Sequence, residues 1–220
     1  MKKIFGFTCC CLVIAICSCN KETIVDTSEQ VGISKVAYYP SIQINGPTFV
    51  AITEGDSYND PGAVAMLNGD TITYTTSMTI TSTTPSGVYT IDYTATSPDG
   101  TSSDQRIVTV VPVSVVNDPV IIAHDYSGTY LRAATGVTST WTKIYTGVYT
   151  VENPGGSSGV GQLVIATNYS ANNIQIPKQN SPFFGGEVSS TNATLDPPGA
   201  YTWIYFAPGY GVGPRSFAKQ

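Results

Sequence analysis

The chain has no cysteine after residue 19, and its only histidine is His124. Residues 20–220 therefore offer no disulfide and no thiolate metal site, and one imidazole cannot build a zinc centre without help from carboxylates. Neither a His-Glu-x-x-His nor a Cys-x-x-Cys pattern occurs in the sequence. We expect the protein to use no metal and no cofactor.

Positive charge is scarce: the chain has 10 Lys and Arg residues against 15 Asp and Glu, and the basic residues form no cluster. A basic cluster is the electrostatic footprint of proteins that bind phosphate backbones or anionic lipid headgroups. Nucleic acid is therefore not an expected partner. Apolar periodicity of the helical kind is also missing, because no such segment after the first 18 residues exceeds two turns.

The N-terminus has the parts of an export signal. Lys2 and Lys3 precede an apolar run that ends at Ile16 and is too short to span a bilayer. Ile16-Cys17-Ser18-Cys19 resembles the lipobox of bacterial lipoproteins, which implies acylation of Cys19. We expect a signal peptide at residues 1–18 and a lipid-anchored polar tether at 19–35. Removing the signal leaves 8 basic and 15 acidic residues, a net charge of −7.

From Ala37 onward the sequence has the pattern of an all-β protein. Short runs rich in Thr, Val, Ile and Tyr are separated by Gly, Pro, Asn and Asp. The run 87–95 alternates, with Tyr89, Ile91, Tyr93 and Ala95 on one face, and this indicates a strand with one buried side. Asn68-Gly69-Asp70 and Pro98-Asp99-Gly100 predict tight turns.

Residues 40–112 carry a resemblance to bacterial immunoglobulin-like (Ig-like) domains. Its motifs are EGDSYNDPGA at 54–63, NGD at 68–70, GVYTIDYTA at 87–95 and RIVTV at 106–110. This resemblance implies a β-sandwich of the kind found in secreted and surface proteins. The Gly-x-Tyr at 87–89 is also similar to the tyrosine corner of sandwich domains.

The second half has the same β pattern but twice the aromatic content, with 14 aromatic residues in 118–220 against 7 in 31–117. Its motifs DYSGTYLR at 125–132, WTKIYTGVY at 141–149, Pro177 with Gln179, and GPRSFAK at 213–219 resemble the C-terminal β domain of Bacteroidota-type surface lipoproteins of unassigned function. We place an Ig-like domain at 36–116 and a second antiparallel β-sandwich or barrel at 117–220.

Two patterns suggest nucleophilic or acid–base chemistry, and each has a structural explanation that we favour. Residues 155–159 match Gly-x-Ser-x-Gly, but a serine hydrolase needs a strand before this motif and a helix after it. Here both flanks are β-like, which favours a loop between strands. His124 precedes Asp125 and would act as a base only beside a hydroxyl, so we expect a structural or solvated histidine.

The carboxylates allow two further hypotheses. The loop that holds Glu54, Asp56, Asn59 and Asp60 offers oxygen ligands for calcium, although Asp and Asn are also ordinary turn formers, and we favour the turn. A glycosidase needs two carboxylates facing each other across a cleft. The second domain has five candidates, which the sequence cannot pair and which belong to no glycosidase motif: Asp118, Asp125, Glu152, Glu187 and Asp196. We expect no enzymatic activity.

Aromatic side chains are the best functional signal. In the run 201–206, three aromatic residues share one strand face and could form a platform for sugar rings, although burial of both faces is the alternative that we slightly favour. Two adjacent phenylalanines in a Pro/Gly loop cannot easily both point inward. The candidate ligand-binding residues are Trp141, Phe183, Phe184, Tyr201, Trp203, Tyr205 and Tyr210.

These observations predict a non-catalytic lipoprotein on the cell surface, anchored to the outer membrane through Cys19. We expect the second domain to bind a polysaccharide or oligosaccharide while the Ig-like domain acts as a spacer. The alternative is a structural or interaction subunit of a surface complex, with an outer-membrane protein as its partner. A hydrolase is a third and weaker alternative.

Overall fold

The computed structural model describes residues 30–31, 34–158, 161–170, 173–181, 183–196 and 199–220. The expected signal peptide, Cys19 and most of the expected tether lie outside these ranges. Strands β1 (Gln30–Val31) and β2 (Ser34–Lys35) form an antiparallel pair in an N-terminal unit that ends at Ala37. All other elements belong to a second compact unit, Tyr38–Gln220.

The first part of this unit contains two small sheets that enclose a core. The three-stranded sheet has the order β3-β5-β6 and the four-stranded sheet has the order β4-β9-β8-β7. Strand β4 runs parallel to β9, and the other neighbours are antiparallel. The strands are β3 (Ser41–Ile44), β4 (Phe49–Thr53), β5 (Ala63–Leu67), β6 (Asp70–Ile72), β7 (Thr75–Thr76), β8 (Gly87–Ser97) and β9 (Gly100–Val111).

The pattern that the sequence predicts for this part is confirmed. Ile91, Tyr93 and Ala95 are buried, whereas Asp92 between them is exposed. Asn68 and Gly69 adopt φ values of 54° and 93° and form the two-residue turn between β5 and β6, a conformation that Asn and Gly tolerate best.

The tyrosine that enters β8 also makes the bond expected of a tyrosine corner. The hydroxyl of Tyr89 donates a hydrogen bond to the Pro85 carbonyl oxygen at 2.8 Å. This bond joins the start of the strand to the loop that precedes it.

Two short helices, α1 (Val113–Val116) and α2 (Pro119–Ala123), connect the two parts of the unit. Asp118 caps α2, because its carboxylate accepts hydrogen bonds from the Val120 and Ile121 amides. Within the described ranges, no helix is long and apolar enough to cross a membrane. Both helices lie within the compact unit Tyr38–Gln220, in which we expect two domains with a boundary after residue 116.

Residues 128–219 form one nine-stranded antiparallel sheet with the order β14-β13-β12-β11-β10-β18-β17-β16-β15. The sheet curls into a half-barrel, which is the barrel alternative of the predicted fold. The strands are β10 (Gly128–Arg132), β11 (Val137–Tyr145), β12 (Val148–Glu152), β13 (Leu163–Ser170), β14 (Asn173–Gln175), β15 (Gln179–Ser181), β16 (Gly186–Asp196), β17 (Ala200–Phe206) and β18 (Pro214–Lys219).

The segment that follows β14 contacts β16, near the other end of the curled sheet. The Ser190 amide donates to the Ile176 carbonyl oxygen at 2.9 Å, and the Ile176 amide donates to the Ser190 hydroxyl at 2.7 Å. These bonds join the end of the β14 segment to β16. The enclosed interior is packed with aromatic side chains, among which Trp141 stacks on Trp203 with ring centroids 5.4 Å apart.

An apolar cluster joins the outer face of the four-stranded sheet to the half-barrel. Ile107 and Val111 of β9 contribute to it, as do Val148 of β12 and Ile165 of β13. The hydroxyl groups of Thr53 and Tyr145 also share a hydrogen bond of 2.8 Å across this boundary. Because buried apolar contact favours one arrangement over an open one, the two parts pack directly against each other.

Candidate functional site

A groove of about 400 Å³ lies beside this apolar cluster, between the four-stranded sheet and the half-barrel. Its size is within the range of small-ligand sites. The first part of the unit, residues 38–111, is the Ig-like part. It supplies Thr48, Phe49, Asp92, Ser103, Asp104, Gln105 and Ile107 to the groove, and the half-barrel supplies Gly161, Leu163, Ser181 and Phe183.

Strand alternation explains the Ig-like wall of the groove. In β8, Ile91 and Tyr93 point into the sandwich core, so Asp92 between them points away from it. Ile107 of β9 points away from the same core and belongs to the cluster between the two parts. The Ig-like wall of the groove is therefore a continuation of the sheet face that packs against the half-barrel.

The other wall lies at a seam of the half-barrel between β13 and β15. Asn153 donates its amide hydrogen bond to the Gln162 carbonyl oxygen, so the main-chain groups of Gln162 face β12. Because these groups alternate in an antiparallel strand, those of Leu163 face the seam. Ser181 lines the groove on the same side, and its buried hydroxyl has no hydrogen-bond partner in the part of the chain that the structure describes.

Phe183 forms the rim of the groove. Its side chain is 53% exposed, and its ring meets that of Phe184 edge-on with centroids 4.9 Å apart. Phe184 is half-buried against the barrel interior and packs edge-on against Tyr210 at 5.4 Å. Phe184 therefore anchors the loop, while the ring of Phe183 stays exposed at the rim of the groove.

Four of the predicted ligand-binding residues belong to the core instead. The side chains of Trp141, Tyr201, Trp203 and Tyr205 are all buried, with exposed fractions of 2% or less. The prediction that Tyr201, Trp203 and Tyr205 form a surface platform is wrong, because β17 turns this face into the half-barrel, while Thr202, Ile204 and Phe206 on its other face are half-buried. Trp141, a separate candidate, lies in β11 with its side chain in the same core.

Tyr210 is half-buried and lies outside the groove. Its hydroxyl accepts a hydrogen bond from the Ser157 hydroxyl at 2.8 Å, and its ring lies under the Arg215 guanidinium at 5.1 Å. Burial raises the pKa of Tyr205 above its ordinary value, and the nearby Tyr210 raises it further. Tyr210 thus helps to close one end of the half-barrel.

The Gly-x-Ser-x-Gly motif lies in the connection between β12 and β13, as expected. Gly155 and Gly156 of the motif are buried, and the Gly155 carbonyl accepts a hydrogen bond from Arg215 at 3.2 Å. The preceding Pro154 carbonyl accepts one from the Trp203 indole at 3.0 Å. His124 is engaged elsewhere, with Nδ1 2.6 Å from the Val120 carbonyl oxygen. The structure therefore does not bring Ser157 and His124 together.

The acidic loop of the Ig-like part has a structural role at Asp60. Its carboxylate accepts hydrogen bonds from the fully buried Arg106 guanidinium, from the Tyr93 hydroxyl and from the Gly62 amide. Burial and the bond to Asp60 raise the pKa of Tyr93. No group of three or more metal-ligating side chains occurs among the described residues.

Three of the five carboxylates considered for hydrolysis also have structural partners. Asp118 caps α2, and Glu187 forms an ion pair with Lys178 at 2.8 Å. Asp125 accepts from the Ser127 amide at 2.8 Å, and hydrogen bonding to Ser127 lowers its pKa. The side chain of Asp196 lies outside the described part. The structural roles of Asp118, Asp125 and Glu187 are therefore a helix cap, a turn and an ion pair.

The family model that matches this chain agrees with the fold of the first part. Residues 42–110 match the family model "Bacterial surface protein, Ig-like domain". The crystal structure of a lipoprotein from Bacteroides thetaiotaomicron is 21% identical, with a TM-score of 0.40, and the alignment covers 82% of this chain and all of that one. No curated protein matches the sequence. The Ig-like resemblance carried by the motifs between Glu54 and Val110 is thus confirmed.

Proposed function

We propose that this chain is a lipid-anchored protein of the bacterial cell surface that binds an extracellular glycan in the groove without altering it. The motif Ile16–Cys19 supports the lipid anchor at the outer membrane. The similarity of residues 42–110 to a domain of bacterial surface proteins supports the location. The observation that carries glycan binding is the exposed ring of Phe183 beside a wall of polar side chains.

This combination suits a sugar ring. The face of a pyranose presents C–H groups that pack on an aromatic ring, while its hydroxyls need hydrogen-bonding groups at the edge. In the groove, Phe183 supplies the ring, and Asp92, Ser103 and Gln105 supply the polar groups. The Ig-like part therefore becomes half of the binding site in this proposal, rather than only the spacer that we expected.

The test is a glycan array with the full chain in detergent, comparing the wild type with Phe183→Ala. We expect binding to at least one glycan, and a loss of roughly tenfold in affinity when the ring is removed, the size of a good aromatic contact. Phe183→Trp, which keeps an aromatic face, should retain binding.

The matched control is Tyr39→Ala, because Tyr39 is an exposed aromatic residue of the Ig-like part that does not line the groove. Its removal should leave the affinity unchanged. No binding across a broad panel would overturn the proposal and favour a protein-interaction subunit. Equal losses in Phe183→Ala and Tyr39→Ala would show that the groove is not the site.

A further inference from the structure

We infer that the groove selects uncharged saccharides, and that Asp92 of the Ig-like part is the residue that rejects saccharides bearing carboxylate or sulfate groups. This inference rests on the proposed function, and it assigns a ligand class to the same groove. It also gives a recognition role to a residue that lies outside the aromatic-rich domain.

The first argument is the charge of the groove lining. Asp92 and Asp104 are the ionisable residues among the described residues that line it, and no Lys or Arg is among them. The Asp104 carboxylate already accepts hydrogen bonds from the Gln105 and Ile44 amides. Asp92 is exposed on β8 and forms no ion pair with the described residues. Its negative charge is therefore not neutralised within the groove.

The second argument comes from the opposite wall. Ser181 is 3% exposed and lines the groove, and its hydroxyl has no hydrogen-bond partner among the described residues. A hydroxyl can donate and accept at the same time, which is also what each sugar hydroxyl does. A buried polar group without a partner favours a ligand that supplies one. This chemistry fits a polyhydroxylated, uncharged ligand.

The two arguments together set the specificity. A sugar hydroxyl beside Asp92 donates a charge-assisted hydrogen bond, which is stronger than a bond between neutral groups. A carboxylate or sulfate at the same place meets a negative charge in a groove partly shielded from water, where repulsion is less screened than in bulk solvent. Discrimination then comes from the repulsive element as much as from the attractive one.

The experiment is affinity electrophoresis of the full chain in detergent through gels containing one polysaccharide each. Mannan, xylan, galactan and starch are the neutral probes, and polygalacturonate, hyaluronan and chondroitin sulfate are the anionic ones. The wild type should be retarded by at least one neutral polymer and at least tenfold more weakly by the anionic ones. Galactan and polygalacturonate form the closest pair, because galactose carries a hydroxymethyl group at C6 where galacturonate carries a carboxylate.

Asp92→Lys should gain retardation by an anionic polymer, and Asp92→Asn should keep neutral binding within about threefold, since it retains an oxygen acceptor. Asp70→Lys is the matched control: it makes the same change in net charge at the exposed start of β6, outside the groove, and should not alter selectivity. If Asp70→Lys and Asp92→Lys gain anionic binding equally, overall charge sets the preference and Asp92 does not.

The outcomes separate the two proposals. Retardation by no polymer at all would overturn the proposed function and the inference with it. Equal or stronger retardation of the wild type by anionic polymers would overturn the inference alone, and glycan binding would stand. Repeating the gels at high salt adds a further check, because exclusion that depends on charge should weaken as salt screens it.

Discussion

Gln179 pairs with both main-chain groups of Ile165. Its side-chain oxygen accepts from the Ile165 amide at 2.8 Å, and its side-chain nitrogen donates to the Ile165 carbonyl at 2.8 Å. Both residues are buried, so one side chain satisfies two main-chain groups that no neighbouring strand reaches at the seam between β13 and β15.

Gln179→Leu should therefore lower the free energy of unfolding by about 2–4 kcal/mol, because two buried main-chain groups lose their partners. Denaturant unfolding followed by circular dichroism measures the change. Asn180→Ala, on the exposed side of the same strand, should cost less than about 0.5 kcal/mol. Gln179→Glu should be as costly as Gln179→Leu, since its carboxylate would face the Ile165 and Pro177 carbonyls. A Gln179→Leu variant whose free energy of unfolding equals that of the wild type would contradict this account of the seam.

Trp203→Ala should destabilise the fold and is a poor probe of binding. The indole is fully buried, stacks on Trp141 and donates to the Pro154 carbonyl, so its removal should cost about 3–5 kcal/mol. Near-ultraviolet circular dichroism and the unfolding midpoint report this loss. Thr202→Ala, on the outer face of the same strand, should leave both nearly unchanged. A native near-ultraviolet spectrum and an unshifted midpoint for Trp203→Ala would place the indole outside the core.

Asp60→Ala should cost about 3–5 kcal/mol, because it leaves the Arg106 guanidinium buried without a counter-charge. Asp60→Asn should be milder, since an amide oxygen still accepts hydrogen bonds. The comparison is Asp70→Ala, which removes a carboxylate from the exposed start of β6 and should change stability by less than about 0.5 kcal/mol. Similar costs for the two alanine variants in denaturant unfolding would argue against this role for Asp60.

Alkaline pH should unfold the protein through its buried tyrosines. Burial raises the pKa of Tyr130 and Tyr149 to about 12, from an ordinary value of 10. A raised pKa in the folded state means that the unfolded chain loses these protons first. The stabilisation is complete below pH 10 and is lost as the pH rises toward about 12.

Denaturant unfolding at a series of pH values, together with tyrosinate absorbance, tests this prediction. The free energy of unfolding should fall with increasing steepness above pH 10. Tyr149→Phe should reduce the number of protons released on unfolding by up to one. Tyr39→Phe, at an exposed position, should leave that number unchanged. A stability that stays flat through this range would show that the phenols titrate normally in the folded protein.

The sequence could predict the strands but not always which face of a strand is buried. In β8 the choice is clear, because Ile91 and Tyr93 alternate with polar residues. In β17 both faces carry large apolar side chains, so the alternation shows that Tyr201, Trp203 and Tyr205 lie together without showing where they point. That choice depends on packing against other strands, because Trp141 of β11 and Phe217 of the neighbouring β18 both contact the ring of Tyr201.

The groove could not be predicted, for a related reason. Asp92 and Ser181 are far apart in the sequence and meet across the groove only because apolar residues such as Ile107 and Ile165 hold the two parts together. Each of these apolar residues also suits an ordinary strand core. The Pro/Gly context of Phe183 was the one local signal that pointed to the site, since it indicated an aromatic ring outside the core.

The filled interior of the half-barrel separates the groove from the residues that hold the fold together. Asn153, Pro154, Gly155 and Gly156 are buried at one end, and aromatic rings occupy the space behind them. Phe183 and Asp92, by contrast, are exposed positions at which substitution should cost little stability. Related chains with this architecture would then be free to exchange these two residues and acquire new ligand preferences while the scaffold stays intact, which makes the groove the place where sequence divergence should be greatest.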